Sequence, residues 1–517
     1  MNLKLTDRRL QWLLFLVPLC AFVWNLGHLP LFDVDEGAFS EATREMFERK
    51  DFLSTWLNGA PRFDKPILIY WCQALFVQLF GVNEWAFRLP SAIAAATWAW
   101  ATALFVWPRG GRNAAIFAAC IVSTALGVVF IGRAATADSL LNVLIALALF
   151  DSWRHLESGK LAPLLRSYLW IGLGVLTKGP VAILVPLATT FIYCASDRRL
   201  GDWLRSISNW RGWLILLAVT VPWYAAAYAI HGQAFIDGFL LKHNVQRFSG
   251  SLEGHSGSIF YYVAIVPLLV LPWLSWLIHA LFGLKADMAD PLRRFLWSWA
   301  LFVIAFFSLS GTKLPHYALY GCTPLFAIIA LNFERIEGGQ KIIRLLAAPG
   351  VIMLCLIMTM PSLLRDALAH GWIKDAYYVM QIERIKSVNL GVYHHITVLA
   401  FLAGLAVSAL PRITLWKRSA ILGVICMLSV SAGAAPLLGE LLQGPVKRAA
   451  LVARQETAPV VLWNFHAPSF SVYRQAVTPT VQAVPGQIAL TRADRLPADV
   501  PVDVLFSEGG VRLVRLK

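Results

Sequence analysis

The chain has 517 residues, 58% of them hydrophobic and 15% charged, with a mean hydropathy of +0.62; an average soluble domain carries roughly a quarter charged residues, so an ordinary soluble enzyme is excluded. The net charge of +15 does not indicate nucleic acid, because Lys and Arg stand in short clusters between apolar runs, as in cytoplasmic loops facing anionic lipid. All seven Cys lie in apolar segments without a CxxC pair, which points to packing residues rather than disulfides or a thiolate metal site.

In chain order, the first apolar run, Leu10 to Leu29, follows Lys4, Arg8 and Arg9. It is long enough to cross a hydrocarbon core of ~30 Å and no small-residue cleavage site follows it, so a retained first helix is expected rather than a signal peptide. A polar stretch, 29–89, comes next. Within it Gly37 to Lys50 has helical spacing of Phe39, Met46 and Phe47, and Pro66 opens the run PILIYWCQALFVQLF. With a first span at 10–28, twelve further runs are read as spans, at 90–107, 113–131, 137–153, 165–177, 180–196, 212–230, 259–283, 295–310, 317–333, 344–362, 394–410 and 418–437.

Residues 66–80 decide the topology. If they do not cross, the basic loops around Arg109, Arg154, Arg198, Lys285, Arg335 and Arg412 fall on the side of the basic N-terminus; if they cross, all of those loops move to the other side. The positive-inside rule selects the first arrangement. This segment, broken by Gln73 and Gln78, is then an amphipathic helix at the outer surface, with the N-terminus cytoplasmic and the C-terminus outside.

The tail begins with a helix-like stretch, VKRAALVARQE, and continues with strand-like runs VVLWNF, FSVYR, IALT, VDVLFS and VRLVRL separated by Pro and Gly. Residues 439–517 are therefore expected to form a small periplasmic α/β domain. At about 80 residues it is small for a core that must be stable alone, so it should lean on a transmembrane domain, 1–438.

The outer face collects the chemistry. Asp33, Asp35 and Glu36 precede a helix, where the macrodipole favours anions, and Arg62, Asp64 and Lys65 precede Pro66. Other outer segments add Arg133 and Asp138, Lys178, Lys242, His243 and Arg247, and Lys313, His316 and Tyr317. One Lys or Arg at a helix end is usually a snorkelling anchor. Several converging on a face normally poor in basic residues, beside carboxylates, suit an anionic substrate group with a nearby base. No Walker loop, GxGxxG unit or HExxH accompanies them, which removes support for a nucleotide-driven pump or a zinc protease.

The runs DEGAFSEATREM, FDKPILIYW, FGVNEWAFRLPSA, GRAATADSLL, LTKGP, HNVQRF with Tyr261 and Tyr262, and TKLPHY resemble, in order and spacing, the bacterial aminoarabinose transferases of lipid A, which are GT-C fold glycosyltransferases related to the protein O-mannosyltransferases. The resemblance implies an α-helical polytopic GT-C fold of about thirteen spans in the bacterial inner membrane. It further implies a polyprenyl-phosphate-linked sugar as donor and lipid A or another glycolipid or glycan as acceptor, with no required cofactor. By position, Asp35 looks like the catalytic carboxylate, followed by Glu36, with Asp138 as the acid of the second outer loop. Lys65 would bind the carrier phosphate, and Arg62, Lys178, His243, Arg247, Lys313 and Tyr317 would line the same cavity. Asp64 stands where relatives often have Glu; with His243 it could share a divalent ion. The family usually reads DETRYAE, whereas Gly37 and Ala38 stand here, which leaves the donor sugar open.

Charge supplies a mechanism for that resemblance. Lys65 and its basic neighbours would stabilise the phosphate anion as it leaves, while a carboxylate across the sugar would orient or deprotonate the acceptor, giving inversion. A protein O-glycosyltransferase of the same fold and a polyisoprenoid-lipid transporter are the competing readings. A transporter is expected to carry mid-membrane charges, and the spans here are almost bare of them.

Overall fold

The computed structural model describes residues 5–246, 257–338 and 346–517. Most of the described chain is helical. Among the described residues six helices are long and apolar enough to cross a membrane: Glu84–Thr124, Trp210–His231, Pro291–Leu309, Ala348–Ala369, Gly391–Ala409 and Leu415–Leu442. The chain is a multi-pass membrane protein.

The N-terminal half runs α1 (Leu5–Val23), α2 (Asp35–Arg49), α3 (Leu68–Phe80), α4 (Glu84–Thr124), α5 (Leu126–Gly132), α6 (Asp138–Ser158), α7 (Leu161–Lys178), α8 (Val181–Ser196), α9 (Leu200–Ile207) and α10 (Trp210–His231). Element α4 covers most of two expected spans and reverses at Gly111, whose φ of 74° is a backbone state that glycine enters without steric cost. The Ala-rich stretch of α4, with Ala92, Ala95, Ala96 and Ala99 all buried, lets α1, α6 and Cys322–Leu331 pack close to it. Trp98, Trp273, Trp276, Trp297 and Trp299 fill the centre of the bundle, and Trp98, Trp273 and Trp276 donate their indole N–H to Thr323, Thr124 and Ser419. Buried tryptophans thus satisfy their one polar atom without leaving the core.

Two expectations are corrected here. The single span foreseen over 259–283 is two nine-residue helices, Tyr261–Leu269 and Leu274–Phe282. Pro272 lacks an N–H and stops the ladder, and the released Leu271 carbonyl accepts the Leu126 N–H at 2.8 Å. In the tail, FSVYR is not a strand but lies in the helix Pro468–Arg474, with Pro468 in the first turn, where its missing N–H costs nothing.

The rest of the tail is as its pattern suggests. Helix Gly444–Ala453 precedes strands β3 (Val460–Leu462), β4 (Ile488–Arg492), β5 (Val502–Glu508) and β6 (Val511–Leu516), in sheet order β3-β4-β6-β5, with β3 parallel to β4 and the other pairs antiparallel. A small hairpin of β1 (Trp56–Leu57) and β2 (Ala60–Pro61) lies in the first polar stretch. The tail core takes in Tyr377 from the short helix Ala376–Glu383, and a cluster of Arg384, Glu440, Arg448 and Glu508 ties β5 to the end of the last apolar helix.

Candidate active site

The first polar stretch returns as α2 and α3, stacked on each other and on α4. Gln73 of α3 is fully buried; its amide donates to the Phe87 and Ala135 carbonyls and its oxygen accepts from Thr43. This places the two carboxylate-bearing turns, 33–36 and 138, beside each other.

Glu36 is an anchor. Arg88 donates to it twice, at 2.8 and 2.7 Å, and the Phe32 and Ala135 amides add bonds of 2.9 and 2.7 Å. Arg88 also donates to the carbonyls of Leu26, Leu29 and Pro30, so one buried ion pair pins the end of α1, the start of α2 and the loop before α6. Asp35, one residue earlier, is exposed and accepts no hydrogen bond from any described residue. It lies near enough to Arg62 and His316 for its charge to act on both.

Two cavities are linked by the Lys178–Asp138 ion pair, Lys178 lining one and Asp138 the other. The first, about 200 Å³, is lined by Asp64, Lys65, Lys178, His243, Tyr317 and Tyr320 over an apolar floor that includes Leu184, Phe306 and Phe307. The second, about 340 Å³, displays Asp33, Asp35, Arg133, Asp138 and His316 on walls of Leu29, Phe32, Val129, Phe130 and Leu438. Asp138 accepts from Lys178, and at 3.4 Å from Tyr320, and has His316 at 3.7 Å. The Lys178 ammonium sits 5.5 and 5.7 Å from the rings of Tyr317 and Tyr320. Asp138 is thus the counter-ion of Lys178 at the wall between the cavities.

Arg62 is buried, 3.3 Å from Asp64 and 5.0 Å from the Phe39 ring centroid, and its Nη1 has no hydrogen-bond partner among the described residues. Lys65 donates to the Asp64 carbonyl at 3.1 Å. Asp64 and His243, expected about a shared ion, bond directly at 2.8 Å. Burial alone would raise the Asp64 carboxyl, but His243, Arg62 and Lys65 outweigh it and hold it far below the usual carboxylate range. Among the described residues no three His, Cys, Asp or Glu side chains are grouped to hold a metal.

Two further basic residues are spent on helix ends. Lys313 is buried and caps the Ser308 and Ser310 carbonyls at 2.9 and 2.8 Å, outside the cavity lining. Arg133 caps the end of α1 through the Ala21, Phe22 and Trp24 carbonyls, while still lining the second cavity. Arg247 lies outside the described residues. Tyr320 and Arg88 were not foreseen as site residues, although Arg88 sits in a quoted motif; nothing local marks an arginine whose acceptors come from three other segments.

The protein-family model for dolichyl-phosphate-mannose-protein mannosyltransferase matches residues 64–225. The chain is 30% identical over 335 residues to the undecaprenyl phosphate-alpha-4-amino-4-deoxy-L-arabinose arabinosyl transferase of Serratia proteamaculans, covering 63% of this chain and 59% of that protein. It is 29% identical over 331 residues to the protein of the same name from Shewanella sediminis, covering 62% and 60%. The chain thus matches about three fifths of these relatives' length. The crystal structure of ArnT from Cupriavidus metallidurans bound to undecaprenyl phosphate superimposes with a TM-score of 0.78 at 20% identity, over 99% of this chain and 98% of that one. In fold the chain is similar to that ArnT, and in sequence to about three fifths of the aminoarabinose transferases.

Proposed function

We propose that the protein is an inner-membrane glycosyltransferase that moves a sugar from a polyprenyl-phosphate donor to lipid A or another envelope glycolipid at the periplasmic face, with inversion. The observation that carries this reading is the pair of cavities linked by the Lys178–Asp138 ion pair, one lined by Lys65 and Lys178, the other by the unpartnered carboxylate of Asp35. The first suits a phosphate leaving group, since preorganised cations act on charge that develops in the transition state. Its apolar floor suits the start of a polyprenyl chain. The second suits an acceptor with an apolar body, held or deprotonated by Asp35. Glu36 and Asp138 are positioning groups in this scheme, engaged by Arg88 and Lys178. The names of the relatives support the donor class, and the family match supports a protein hydroxyl as the alternative acceptor, for which Asp35 would have to be a true base.

The same reading carries the topology: thirteen spans, a cytoplasmic N-terminus, a transmembrane domain over 1–438 and a periplasmic domain over 439–517. The deciding experiment is transfer from a synthetic undecaprenyl-phosphate sugar to lipid A by the purified protein in detergent. Radiolabelled lipid A is expected. Passage of the intact donor across proteoliposomes without sugar transfer would replace the enzyme with a transporter.

A further inference from the structure

One wall of the second cavity, the turn carrying Asp33 and Asp35, is braced by the tail. Asp33, two residues before Asp35, accepts the Ser469 N–H at 2.9 Å on one oxygen and the Ser469 hydroxyl at 2.5 Å on the other. Four residues along the same tail helix, the Tyr473 hydroxyl accepts the Leu31 N–H at 2.7 Å and donates to Glu84 at 3.0 Å. Ser471, between them, donates to Asn58 at 2.9 Å. Every one of these bonds joins the tail to the first outer stretch or to the start of α4, more than 380 residues away in sequence.

The approach is close enough to dictate a residue. A Cβ on Gly37 would stand 2.1 Å from Asp33 Oδ1 and 2.6 Å from the Ser469 nitrogen, so only glycine lets the tail helix lie against the first turn of α2. The turn carrying Asp35 is therefore clamped from two sides. Arg88 holds it through Glu36 from the membrane side, and the tail holds it through Asp33 and Leu31 from outside.

We propose that the tail domain is a working part of the catalytic centre, with Ser469 a positioning residue that sets Asp35 by fixing Asp33. This rests on the reading of Asp35 as the acceptor-facing carboxylate. Small displacements of such a group cost far more rate than stability, and a hydrogen bond to a carboxylate is strong enough to hold one in place.

The test is Ser469→Ala in the full-length protein, read in two ways. Hydrogen exchange of the peptide 31–38 is expected to quicken while that of α4 stays unchanged, and kcat is expected to fall about tenfold with KM for undecaprenyl-phosphate sugar within about twofold. Asp33→Asn combined with Ser469→Ala should lose no more than the worse single variant, since both break one contact. Asp503→Asn, on the exposed edge strand, should leave both readouts at wild type. Unchanged exchange at 31–38 overturns the clamp whether or not the protein transfers sugar. Faster exchange with unchanged kcat overturns its part in positioning Asp35. A wild-type protein that transfers no sugar would sink the reading of Asp35, while the exchange experiment still decides the clamp.

Discussion

Asp33 and Asp35 stand two residues apart and line the same cavity, yet the fold treats them differently: Asp33 accepts two bonds from Ser469 of the tail helix, and Asp35 accepts none from any described residue. Asp35→Asn keeps the shape and removes the charge, so transfer should fall below about a tenth of wild type while the protein purifies unchanged; turnover on a polyprenyl-phosphate sugar measures it. Lys65→Ala, by contrast, should raise KM for that donor with little effect on melting temperature. Asp33 predicts a pH effect on stability. Burial pushes its carboxyl from the ordinary 3.8 up to about 7, against the lowering by the two Ser469 bonds, and Glu36 adds repulsion; Tyr377 faces the same charge. The folded chain then keeps a proton between these two values that the unfolded chain has released. The contribution of Asp33 to stability is complete below the lower value, falls as pH rises through about 7 and is level above it. In a melting-temperature profile against pH, Asp33→Asn should flatten that decline; an identical profile would assign the titration to another group.

Among the elements, α2 and α4 are joined by the buried Arg88–Glu36 pair, which also gathers three carbonyls after α1. Removing one partner of such a pair leaves the other charged and buried, at a cost of roughly 3–5 kcal/mol. Arg88→Ala should therefore lower the melting temperature sharply in detergent, and Arg88→Lys should not restore it, because an ammonium cannot reproduce the planar fork. A melting temperature within a degree or two of wild type would show the pair to be dispensable. The start of α2 was legible from its acids and apolar spacing. The tail helix was not: Phe470, Val472 and the intervening serines alternate like a half-buried strand, and it is packing between α2 and helix Gly444–Ala453 that makes all of 468–472 buried. Lys313 was misleading for a related reason. Its sequence neighbours look like a site, but the nearest unsatisfied groups in three dimensions are the carbonyls at a helix end.

At the scale of the molecule, α3 tests the topology. Its 13 residues make a helix of about 20 Å, short of the ~30 Å core, and its buried Gln73 spends its amide on neighbouring segments. In a background with the native cysteines replaced, Ala60→Cys before the helix and Gln78→Cys in its last turn should both react with an impermeant thiol reagent added from the periplasmic side. Both positions are exposed. Labelling at 60 with protection at 78 until the membrane is opened would put α3 across the bilayer and sever Lys65 from Lys178.

By itself the sequence determined the membrane class, the rough places of the helices, and most of the basic residues and carboxylates that line the two cavities. Those follow from composition, run length and charge asymmetry, which act locally or add up along the chain. Only the tertiary structure decided which of those polar groups are spent. Glu36 goes to Arg88, Asp138 to Lys178, Lys313 to helix carbonyls and Asp33 to Ser469, and Asp35 is left facing the cavity. A buried polar group must find its partner wherever the packing brings one, and the partners here lie from a few to more than 400 residues away, beyond the reach of any local pattern.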